Sequence, residues 1–213
     1  MVAAPEKLAA LRHLLAERFP AAPRGARRVL ASGIPAVDDV TGGLPLGAIT
    51  ELVCSVPSCG GHLFLQQLLA STRRDRLRVA LIDSSDSFDP GSCPVDSLAH
   101  LLWVRCASTA LALQAADVLA RDANLGLVVL DLRRAPEAEL RRIPGPQWYR
   151  LQRAVEPADL ALLVETPRPC VPSAQLRFNL STSHVPASFD LARPILAADL
   201  APVLQRQRLS AAG

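Results

Sequence analysis

ITELVCSVPSCGGHLFLQQLLAS, residues 49–71, reads as a strand, a loop and a helix in immediate succession. Ile49 to Val53 is β-branched and apolar, the composition of a buried strand. The turn-rich TGGLPLG (41–47) punctuates the chain just before it. Cys54 to His62 carries a proline and two glycines and cannot continue a strand. Beyond it Leu65, Leu68 and Leu69 fall at helical spacing, so one face of a helix is apolar.

Working outward, the alternation repeats. RVALID (78–83) and LLWV (101–104) are short strands, and Leu111, Ala115, Val118 and Leu119 form the apolar face of a helix ending near 124–126. LVVLD (127–131) and LALLV (160–164) are continuous apolar strands, as expected where helices cover both faces of a parallel sheet. The segment 148–155 between them reads as helix. LRFNLSTS (176–183) alternates apolar and polar residues, which predicts a half-exposed antiparallel strand near a sheet edge. Short strands alternating with helices of about ten residues predict a doubly wound, mostly parallel α/β sheet with helices on both faces.

At the N-terminus Leu8, Leu11 and Leu15 share one face of a further helix, stopped by Pro20 and Pro23; Arg24, Arg27 and Arg28 make a basic linker. The expected organisation is a helix and linker over 1–28, the α/β core over 29–185, and a proline-interrupted tail over 186–213.

Half of the 213 residues are apolar and 20% are charged, a globular composition. No apolar run approaches the roughly 20 residues of a membrane span, and Glu6 and Glu17 are foreign to a secretory signal. The five cysteines (Cys54, Cys59, Cys93, Cys106, Cys170) form no CxxC and no Cys/His pair at ligand spacing. Reduced thiols in a cytoplasmic protein, with no metal, are the expectation. A net charge of +3 does not by itself imply nucleic acid.

A glycine-rich turn between strand and helix is where a phosphate loop GxxxxGK[ST] sits, its amides around the phosphates, its lysine neutralising charge and its hydroxyl on magnesium. Here the place reads Ser55-Val56-Pro57-Ser58-Cys59-Gly60-Gly61-His62. Ser55 replaces the first glycine, Gly61 the lysine and His62 the hydroxyl residue, while Gly60 keeps the second glycine. Without lysine and magnesium ligand most electrostatic stabilisation of a transferring phosphoryl group is gone. Either His62 and the helix N-terminus still take an anion weakly, or the loop is a relic; the expectation is a remnant site (Ser55, Gly60, Gly61, His62) with no cofactor, ATP included.

From about residue 6 to 185 the chain resembles the RecA recombinase superfamily. The resemblance rests on LASGIPAVDDVTGGLPLGAITELV, on IDSSDSFDP (82–90), on QAADVLARDANLGLVVLD leading to a Walker B-type Asp131, and on SAQLRFNLSTS. It implies that the catalytic glutamate would fall at Ser85, that the γ-phosphate-sensing glutamine would fall near Glu165-Thr166, and that the second DNA loop is shortened to PRPCVPS (167–173). Neither catalytic residue type is present, so the implied protein is not an enzyme. Within the superfamily a short, catalytically degenerate member most resembles ImuA. That implies an accessory role in DNA-damage-induced (SOS) translesion synthesis, with an ImuB-type Y-family-like protein and an alternative replicative-type polymerase as partners. Similarity also extends to SulA, an inhibitor of cell division that binds FtsZ; a residual DNA-dependent ATPase is a third reading.

Arg133, Arg134, Arg141, Arg142, Arg150 and Arg153 follow Asp131, with Trp148 and Tyr149 among them. Arginine with interleaved aromatics can grip phosphates and stack on bases, which makes this region a candidate for single-stranded DNA or a partner. The competing reading puts Trp148 in the core and leaves the arginines merely exposed. The apolar stripe with Leu11 and Leu15 is a second candidate partner or self-association surface, and the C-terminal LAADLAPVLQRQRL a third.

Overall fold

The computed structural model describes residues 28–208. The N-terminal helix read from Leu8, Leu11 and Leu15, and the last five residues, lie outside them. In chain order the elements are β1 (Val29–Leu30), α1 (Pro35–Thr41), β2 (Leu44–Pro45), β3 (Ala48–Cys54), α2 (Gly61–Arg74), β4 (Arg78–Asp83), α3 (Val95–Leu98) and β5 (Leu101–Arg105). There follow α4 (Thr109–Leu119), β6 (Leu125–Asp131), α5 (Glu137–Arg142), α6 (Gly145–Val155), β7 (Ala161–Thr166), β8 (Leu176–Leu180), α7 (Arg193–Ala198) and β9 (Val203–Gln207).

Seven strands form one sheet in the order β5-β4-β6-β7-β3-β8-β9, parallel throughout except for β9, which runs antiparallel to β8. This is the mostly parallel α/β class, with helices on both faces, that the strand and helix periodicities predict. Alternate strand residues feed two cores. Leu52, Leu81, Leu127, Val129 and Leu163 pack with Phe64, Leu65, Leu68 and Leu69 of α2 on one face. Ile82, Val128, Leu130, Leu162 and Val164 pack with α4 and α6 on the other. Cover on both faces is why these strands are apolar without alternation.

Three expectations are corrected. On α4 the residues that go inside are Ala112, Leu113 and Ala116, while Leu111 is 49% and Val118 70% exposed. The small alanines let the helix lie close on the sheet, and its larger apolar residues stay outside. β8 does alternate, with Leu176, Phe178 and Leu180 buried, but it is parallel to β3 and interior to the sheet. The edge is β9, from the segment read as a tail: Val203–Gln207 pairs with β8, and Leu196, Ala197 and Leu200 are buried. The core therefore does not end at residue 185.

Candidate functional site

The topology gathers the site. The connection from β7 to β8 passes across β3, so β3 lies between them. At such a switch point the loops at the carboxyl ends of the strands leave a crevice. Cys54 ending β3, Asp83 ending β4, Asp131 ending β6, and Glu165 and Thr166 ending β7 all arrive at that end. A cleft of about 1000 Å³ lies there, lined by the whole 54–63 loop together with Gln66, Arg133, Arg134, His184 and Arg193.

The loop turns through left-handed backbone at Ser58 (φ 55°) and Gly60 (φ 91°), and Gly60 begins α2. Its carbonyls are held from within the chain. Ser183 Oγ donates to Pro57 O at 2.8 Å, His184 N to Ser58 O at 2.9 Å, and Ser55 itself donates through N and Oγ to Leu180 O at 3.2 and 3.1 Å. A Cβ on Gly60 would lie 2.5 Å from Leu200 Cδ2 and 3.1 Å from His184 Nε2, so the segment following β8 sits directly on the loop.

Gly61, in the lysine position of the motif, is filled from another direction. A Cβ there would lie 2.6 Å from Arg133 Nη1, 3.0 Å from Cys54 Sγ and 3.3 Å from Arg133 Cδ. The Arg133 side chain, 12% exposed, thus occupies the volume that a residue larger than glycine at 61 would need. It is fixed there by the Asp131 carboxylate, with Glu165 beside it. Nε and Nη2 donate to the two oxygens of Asp131 at 3.0 and 2.6 Å, and Nε lies 3.0 Å from Glu165 Oε2. Neither Glu165 oxygen receives a well-directed hydrogen bond, so that second contact is proximity alone.

The charges close on one another. Burial would raise the Asp131 carboxyl, but pairing with Arg133 outweighs it and holds the group below its ordinary value. Burial pushes Glu165 up to about 8 despite Arg133 beside it, so it carries a proton near neutrality. Burial, and then Arg133, lower His62, which stays neutral. Arg133 therefore meets one carboxylate with one guanidinium, so its charge is compensated within the chain. Asp83, fully buried, accepts from the amides of Ser85, Ser87 and Phe88 at 3.1, 3.1 and 2.9 Å. It anchors the 84–88 turn, and Ser85 in the glutamate position is part of that turn.

The short 167–173 loop is likewise anchored. Glu51, fully buried on β3, accepts from Cys170 N, Val171 N, Thr166 Oγ1 and Arg177 Nε at 2.7, 3.1, 3.1 and 2.6 Å. The arginines read as one surface divide. Arg133, mostly buried, and Arg134 line the cleft, whereas Arg142 and Arg150 line a separate hollow of about 770 Å³ between α4 and the α5–α6 corner. Arg141 pairs with Glu137 at 2.6 Å, and Arg153 is exposed. Trp148 is 2% exposed in the core under α6 and cannot stack on a base; Tyr149 beside it is 47% exposed. Trp148 therefore belongs to the core and not to a binding surface, while Arg133 is tied to Asp131 at the wall of the cleft. Leu11 and Leu15 lie outside the described residues.

Sequence reasoning missed the Arg133 plug, Glu165 beside it, the cover from His184 and Leu200, and the placing of Cys54 and Cys59 in the lining of one cleft. The one available signal was glycine at the lysine position. Among the described residues no group of His, Cys, Asp and Glu is arranged to hold a metal, and no helix is long and apolar enough to cross a membrane. No protein-family model matches the chain, and no curated protein matches it.

Proposed function

We propose that the protein is a non-catalytic RecA-like accessory factor of DNA-damage-induced translesion synthesis, ImuA-like, that acts through contacts with an ImuB-type Y-family-like protein and an alternative polymerase. The observation that carries the non-catalytic half is the self-filled loop: Arg133 stands over Gly61 and is neutralised by Asp131. A phosphate loop works because its amides and lysine present uncompensated positive charge to the ligand. Here the cation is internal and compensated, and the segment through His184 and Leu200 covers the turn. Such a domain is a rigid α/β body whose remaining use is its surface.

The accessory half rests on the order and spacing of the stretches that resemble the recombinase superfamily. Two surfaces suit a partner: the exposed apolar residues Leu111 and Val118 on α4, and the hollow lined by Arg142 and Arg150. Affinity capture of the tagged protein from DNA-damaged host cells, with mass spectrometry of what is bound, tests the proposal. Recovery of a Y-family-like protein or an alternative polymerase subunit supports it. Recovery of FtsZ, or of no replication protein, overturns it.

A further inference from the structure

We propose that Cys54 and Cys59 form a peroxide-oxidisable dithiol at the floor of the cleft, with Cys59 as the attacking thiol and Cys54 as the resolving one. The two cysteines flank the turn of the loop, one ending β3 and the other just before the αL glycine that begins α2. Both line the same cleft and both are free thiols. They converge on Gly61. The Gly61 amide is among the groups that favour the Cys59 thiolate, and a Cβ on Gly61 would lie 3.0 Å from Cys54 Sγ and 2.6 Å from Arg133 Nη1. The Cys59 sulfur therefore sits at the N-terminus of a helix of 14 residues, where an anion is stabilised, beside a buried guanidinium.

The neighbours sort four of the five cysteines. The Cys54 thiol is the largest influence lowering Cys59 below its ordinary value, against the opposing effect of burial, with the Gly61 amide and Arg133 adding to it. The same contact, with burial and Glu165, pushes Cys54 well above its ordinary value, so Cys54 keeps its proton until it is needed. Burial and Asp83 raise Cys106, and burial and Glu51 push Cys170 up to about 12. A thiolate is the nucleophile in such chemistry, and Cys59 is the thiol placed to supply it.

The oxidant is hydrogen peroxide. Cys59 thiolate attacks one peroxide oxygen; the O–O bond breaks, a sulfenic acid forms, and the departing hydroxide takes up the proton that the Cys59 thiol released to solvent and leaves as water. Cys54 sulfur then attacks the Cys59 sulfur; the S–S bond forms, the S–O bond breaks, and the hydroxide lost takes the Cys54 proton and leaves as water. Two thiols are oxidised and one peroxide is reduced to two waters. Ser58, whose carbonyl receives the His184 amide, lies inside the ring so formed. The bond is thus made in the segment on which the covering strap rests.

The native full chain is treated with hydrogen peroxide, and its thiols are then mapped by differential alkylation and mass spectrometry. Two of the five thiols should disappear together, as one Cys54–Cys59 cross-linked peptide lighter by two hydrogens. Before oxidation, brief alkylation of the native protein should mark Cys59 at least ten-fold faster than Cys106 or Cys170. Cys54→Ser should leave a Cys59 sulfenic acid captured by a dimedone probe, and Cys59→Ser should leave the remaining thiols reduced. Thermal melts check that both variants are folded, and the wild-type mapping stands without them. Equal loss of all thiols, a cross-link between other cysteines, or Cys59 alkylating no faster than Cys106 would overturn the proposal.

Discussion

Gly61→Ala is the sharpest probe of how the loop is filled. Gly61 is helical and has no need of left-handed backbone, so alanine should by propensity gain up to about 1 kcal/mol. Against that, its Cβ would fall 2.6 Å from Arg133 Nη1 and 3.0 Å from Cys54 Sγ. The end of an arginine would ordinarily swing away at little cost. This one is tied by two hydrogen bonds to Asp131 and lies 3.0 Å from Glu165, so moving it strains a buried ion pair. Overpacking of this kind costs about 1–3 kcal/mol, which leaves a net loss of up to about 2 kcal/mol. For a chain of this length that lowers Tm by about 2–4 °C per kcal/mol. The same substitution is then made in an Asp131→Asn/Arg133→Ala background, where both charges of the pair are gone. There the penalty should vanish or turn into a small gain, giving an interaction energy of about 2 kcal/mol by urea denaturation, within the range for contacting residues. An equal cost of Gly61→Ala in both backgrounds would refute the claim that Arg133 fills the loop.

Other substitutions follow from the same geometry. Glu165, raised to about 8 from an ordinary 4.5, keeps a proton that the unfolded chain releases. Its contribution is complete below about pH 4.5 and is lost as pH rises through 8, at up to about 1.4 kcal/mol per pH unit. Urea midpoints between about pH 5 and 8 should fall for the wild type and flatten for Glu165→Gln; parallel slopes would contradict this. On α4, Val118→Asp should change stability by less than about 0.5 kcal/mol, whereas Ala116→Asp, buried against the sheet, should unfold the domain or nearly so; the reverse ranking by thermal melts would restore the face read from sequence. Glu51→Ala strips four donors, Arg177 among them, of their acceptor and should cost about 3–5 kcal/mol in denaturation.

Periodicity made the α/β class legible, because strands covered on both faces are long apolar runs and because Leu65, Leu68 and Leu69 mark the buried stripe of α2 directly. α4 was misread for a physical reason. Its buried stripe is alanine at 112, 116 and 120, chosen for close approach, so larger exposed residues carry the stronger hydrophobic signal. β9 was missed because an edge strand shows only weak alternation: Val203, Gln205 and Gln207 point outward, and the run follows a proline. At the site, the missing lysine was readable from Gly61 and the missing hydroxyl from His62. What took the lysine's place was not, because Arg133 reaches the loop from β6, two strands away in the sheet, and no local pattern records that approach. Trp148 illustrates the converse: an aromatic among arginines is a stacking motif in one dimension and a core residue in three.

Nucleotide binding by the purified full chain tests the central claim most directly, read as equilibrium dialysis against labelled ATP with magnesium at millimolar concentration. A loop filled by Arg133, with its charge met by Asp131, predicts no saturable binding and no released phosphate. Saturable binding at micromolar ATP, or turnover above the background rate, would contradict it.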